Sequence, residues 1–62
     1  MPRPHQVQVY RDSEGRWRWR RRAGNYQVVA ASEQGHRHRW YMIRKARRQN
    51  RGVEVVVIDG DL

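Results

Sequence analysis

The chain has 62 residues, 14 of them basic and six acidic, a formal charge of +8, and no cysteine. That length allows one domain, residues 1–62, with a small core, and the lack of thiols excludes disulfides, zinc ribbons and cysteine nucleophiles. No apolar run approaches the roughly 20 residues of a membrane span, and the opening MPRPHQVQVY lacks the charged start and apolar middle of a signal peptide, so a cytoplasmic protein without a membrane partner is expected.

In chain order, HQVQVY alternates. Val7 and Val9 share one face while Gln6, Gln8 and Tyr10 share the other, the period of a half-buried strand over about 6–10. RDSEG follows as a hairpin loop, with Asp12 and Ser13 able to bond their own backbone and Gly15 free to take positive φ. The next strand, about 16–22, is RWRWRRR. It sets Trp17, Trp19 and Arg21 on one face and Arg16, Arg18, Arg20 and Arg22 on the other. AGN is a second turn, and YQVVAAS a third strand over about 26–32, rich in β-formers. Turns this short join antiparallel neighbours, because a parallel crossover takes a dozen residues or more.

From His36 the period lengthens. Arg39, Met42, Ile43 and Ala46 fall on one side of a helix over about 37–50, flanked by Trp40 and Tyr41, with Arg37, Arg44, Lys45, Arg47 and Arg48 on the rest. Gly52 offers a left-handed end to it. The closing strand, about 53–59, carries Val55, Val56, Val57 and Ile58 and is apolar on both faces. So small a chain has little to cover both, and these four residues are the expected interface of a homodimer. The fold class is therefore α+β: a three-stranded antiparallel meander packed on one helix, with a last strand pairing within a dimer.

Charge is concentrated in the middle. Between Arg16 and Arg51 there are 12 basic residues and one acidic residue, Glu33, the footprint of a polyanion binder. Thirteen of the 14 basic residues are arginine, which a GC-rich genome explains; the charge excess is left over. Arg18, Arg20 and Arg22 repeat every about 6.6 Å along a strand, near the spacing of phosphates, and Arg44, Arg47 and Arg48 add to them from the helix. Two readings stand for these side chains: contacts to DNA or RNA, or a solvated face that blocks edge pairing. Trp17 and Trp19 are read as core, since the chain has no phenylalanine. His36 and His38 lack the carboxylate or thiol that would complete a metal site, and Asp59 and Asp61 lack a pocket to make them an acid/base pair. No nucleophile motif or phosphate-binding glycine loop occurs, so neither an enzyme nor a cofactor is expected.

The stretch VQVYRDSEGRWRWRRRAGNYQVVAASEQGH resembles the YegP-like family of small prokaryotic domains of uncharacterised function. The likeness rests on Val9, Tyr10, Asp12, Gly15, Trp17, Arg18, Trp19, Arg20, Ala23, Asn25, Val28, Val29, Ala30, Ser32 and Gly35, about half of the chain. It implies a β-meander on one helix and no particular activity. The chain departs from the pattern at Arg21, where the family usually has leucine, at Tyr26, where it has glycine, and at His36, where it has tyrosine. Many relatives carry two tandem repeats, so a single repeat is expected to dimerise. The function expected is a small basic module binding nucleic acid through its arginine face. The alternative is a homodimeric interaction module, a phage or host regulator docking an acidic protein.

Overall fold

The structure is a computed structural model, and it describes residues 4–58; Asp59 and Asp61 lie outside the described residues. Strands β1 (Gln6–Arg11), β2 (Trp17–Arg22) and β3 (Val28–Ala31) precede helix α1 (Arg39–Gln49), and strand β4 (Glu54–Val57) follows it. The fold is α+β, and β1, β2 and β3 form the antiparallel meander that their short turns require. The last strand is a correction. It pairs in parallel with β1 of its own chain, making one mixed sheet of order β3-β2-β1-β4. Helix α1 is the crossover from one sheet edge to the other that such a parallel pair needs.

Register decides the faces. Val7 lies opposite Arg21 and Val55, and Val9 opposite Trp19 and Val57, so all these residues point to one side of the sheet. There Val7, Val9 and Trp19 pack against Met42 and Ala46 of α1, with Trp17, Ile43, Val53 and Val55 around them. Val55 thus finds within its own chain the cover expected from a second copy. Val56 faces the other side and is half-buried, Val57 is 37% exposed, and Ile58 is half-buried, its N–H bonded to the Val9 carbonyl at 2.8 Å.

The helix packs on β1, β2 and β4 but not on β3, all four of whose residues are exposed. That strand is shorter than expected because its two ends do other work. Tyr26 takes φ +66° in the turn, and at the far end the Ser32 hydroxyl accepts the Trp19 N–H at 3.2 Å. Helix α1 starts at 39 rather than 37, since His38 is still extended, its N–H bonded to His36 Nδ1 at 3.1 Å. Arg39, expected on the apolar side, is exposed, its guanidinium 6.0 Å from the centre of the Trp17 ring. Buried Asn50 closes the helix by donating both its N–H and its Nδ2 to the Ala46 carbonyl, and Gly52 turns the chain at φ +78°.

Candidate nucleic-acid interface

The side of the sheet away from α1 is open. Alternation along β2 puts Arg18, Arg20 and Arg22 there, opposite Tyr10, Gln8 and Gln6 of β1. All three arginines are half-buried, because the neighbouring strands flank their stems. Their partners differ in kind. Arg18 donates Nε to the Asp12 carboxylate at 2.6 Å. The other Asp12 oxygen accepts the N–H groups of Glu14 and Arg16 at 2.9 Å each, so Asp12 ties the loop as well as the arginine. The Arg16 N–H, then the Arg18 side chain, hold the Asp12 carboxyl below the usual carboxylate range, and the hydrogen bond from Asp12 raises Arg18 in turn. Arg18 is thus a neutralised, structural cation.

Arg20 and Arg22 meet no carboxylate among the described residues. Both donate Nε to one neutral acceptor, Gln8 Oε1, at 2.8 and 3.2 Å. Arg20 also lies with its guanidinium carbon 4.7 Å from the centre of the Tyr10 ring, and Arg22 donates Nη1 to the Tyr26 carbonyl at 2.7 Å. Gln8 in turn donates to Gln6 at 3.2 Å and Gln6 to Glu54 at 2.9 Å, a chain of amides across the sheet that ends on the Glu54 carboxylate. A shallow hollow beside it is lined by Gln6, Gln8, Arg22, Tyr26 and Glu54. Two like charges two residues apart are therefore oriented by dipoles and a ring, with their charge left over. Gln8, which orders both, was not singled out by its place in an alternating strand.

The helix arginines lie elsewhere. Met42 and Ala46 face the sheet, so at about 100° per residue Arg44, Arg47 and Arg48 point away from it. They stand on the opposite side of the molecule from Arg18, Arg20 and Arg22. The six candidate residues therefore form two surfaces and do not converge on one ligand. Trp40 and Tyr41 share the outward side and are 61% and 39% exposed. Their spacing of three and four residues before Arg44 carried this signal.

Trp19 is a core residue, as expected, and Trp17 packs half-buried against the core; the buried Trp19 Nε1 has no acceptor among the described residues. Arg21 lies on the helix side of the sheet, donating Nε to His5 Nδ1 at 2.9 Å and reaching Asn50 Oδ1 at 3.5 Å. His36 and His38 stand with their rings 5.6 Å apart, and no group of three or more metal-binding side chains comes together among the described residues. No helix there is long and apolar enough to cross a membrane. No protein-family model matches the chain, and neither a curated protein nor a solved structure matches it.

Proposed function

We propose that the protein is a non-enzymatic module that binds the phosphate backbone of nucleic acid, duplex DNA first, through the open sheet face. The observation that carries this reading is the Arg20–Gln8–Arg22 arrangement: two oriented guanidiniums, each with Nε held by a neutral oxygen and neither balanced by a carboxylate among the described residues. Orienting cations without neutralising them suits an oxyanion ligand, since guanidinium and phosphate form charge-assisted, often bidentate bonds. Backbone contacts of this kind fix position without reading sequence. Membership of the YegP-like family belongs to the same proposal. It rests on the sequence positions that carry the resemblance, from Val9 to Gly35.

The test is a salt titration of duplex binding for the parent and for Arg20→Gln with Arg22→Gln. Each phosphate contact contributes about 0.9 to the log–log slope, so the double variant flattens it by about 1.8, while Arg18→Gln changes it far less because Asp12 already balances that charge. Equal slopes for the parent and the double variant would remove the sheet face from the interface. An acidic polypeptide that displaces the duplex at equal charge would make the partner a protein.

A further inference from the structure

We infer that the outward face of α1 is a second binding site, for single-stranded nucleic acid, in which Trp40 and Tyr41 stack on bases while Arg44 and Arg48 hold the backbone. It shares with the preceding proposal only the class of ligand, and it uses the opposite side of the molecule.

An exposed tryptophan is unusual in a chain so short of apolar groups that only Val7, Val9, Trp19, Met42 and Ala46 form the buried core among the described residues. Trp40 is left outside, and its ring is braced. His38 stacks on Trp40 with centroids 5.8 Å apart and planes at 25°, and His36 stacks on Tyr41 at 3.9 Å and 20°. Trp40 and Tyr41 meet edge to face at 6.0 Å. Braced rings lose little freedom when a base stacks on them. A shallow groove runs from this cluster along the helix, lined by Trp40, Tyr41, Arg44, Lys45, Arg48 and Gln49. From residue 40 to residue 48 it covers about 12 Å of helix.

The charge of this groove selects its occupant. Helix α1 contains no acidic residue, and among the described residues the side chains of Arg44, Lys45 and Arg48 enter no hydrogen bond or ion pair. Rings at one end and three unbalanced cations beyond them match a polymer that alternates flat bases with phosphates. Aromatic platforms beside a basic track are how single strands are held without sequence preference. Duplex DNA keeps its bases stacked inside and offers Trp40 nothing to stack on.

The experiment uses fluorescence anisotropy with labelled oligothymidylate and with an abasic oligomer of the same length, for the parent, Trp40→Ala, and Arg44→Gln with Arg48→Gln. Trp40→Ala is expected to bind oligothymidylate roughly five- to a hundredfold more weakly with an unchanged salt slope, and to bind the abasic oligomer like the parent. The double arginine variant is expected to flatten the slope by about 1.4, at about 0.7 per contact on a single strand. Unaltered oligothymidylate binding by Trp40→Ala would overturn the inference, as would an equal loss for the abasic oligomer, or a Trp40-dependent affinity for polyglutamate matching that for oligothymidylate. Circular dichroism checks the fold of each variant. Loss of duplex binding in the Arg20→Gln, Arg22→Gln variant with the Trp40 effect intact would separate the two sites, and the same loss without a Trp40 effect would leave the sheet site alone.

Discussion

Asp12 shows how much of this sequence is spent on holding shape. One carboxylate oxygen takes two loop N–H groups and the other takes Arg18, so the first hairpin and one member of the arginine row depend on a single ionised side chain. Its folded-state pKa is depressed, chiefly by the Arg16 N–H and the Arg18 side chain. A depressed carboxyl contributes stability that is complete above its unfolded value, about 3.9, and is lost as pH falls through the lower folded value. Urea unfolding of the parent and Asp12→Asn across the acid range is expected to show the parent's advantage shrinking below about pH 4 and vanishing once the carboxyl is protonated in both states. An advantage that held constant with pH would assign Asp12 a role independent of its charge. Gly35 is equally structural. A Cβ there would stand 2.7 Å from the Arg16 Cβ, beside the Trp17–His36 bridge that extends the sheet past β3.

The elements follow from their turns. Gly15 at φ +79° closes the β1–β2 loop, and the β2–β3 turn is held by the Asn25 side chain accepting the Gln27 N–H at 3.1 Å. Tyr26 sits between them at φ +66°, a left-handed conformation that costs a side-chain-bearing residue about 1–2 kcal/mol and a glycine almost nothing. Removing the ring in both variants isolates the backbone: Tyr26→Gly is expected to be more stable than Tyr26→Ala by about 1 kcal/mol, a melting difference of about 4–8 °C in so small a domain. Identical melts would mean the turn relaxes to negative φ. The hairpins were legible because Asp12, Gly15, Asn25 and Ser32 each act on backbone within their own or the adjacent strand. The partner of β4 was not. Val55 to Ile58 is apolar on both faces, and nothing local distinguishes a neighbour in a second copy from β1 across a crossover. The exposed apolar edge is instead β3, where Val28 and Val29 are 47% and 53% exposed because α1 does not reach it.

At the scale of the molecule, the candidate arginines of the middle segment read as one positive region in the sequence and as two surfaces in space. A strand's alternation sends Arg18, Arg20 and Arg22, and a helix's 3.6-residue period sends Arg44, Arg47 and Arg48, away from the same core through opposite faces of a two-layer domain. That these arginines turn away from the core was legible, and their division between two surfaces was not, because it depends on α1 crossing the side of the sheet that holds Val7, Val9 and Trp19. The Asp12–Arg18 pair and the neutral settings of Arg20 and Arg22 were also hidden, since cross-strand register selects them. We propose that the open sheet face receives the phosphates of a duplex. A titration of the isotope-labelled protein with a short DNA duplex, followed through backbone amides and arginine Nε–H resonances, tests this. Shifts are expected to concentrate on Arg20, Arg22, Gln8 and the open-face residues of β1. Shifts confined to the β3 edge or to α1, or no shift at low salt, would contradict it.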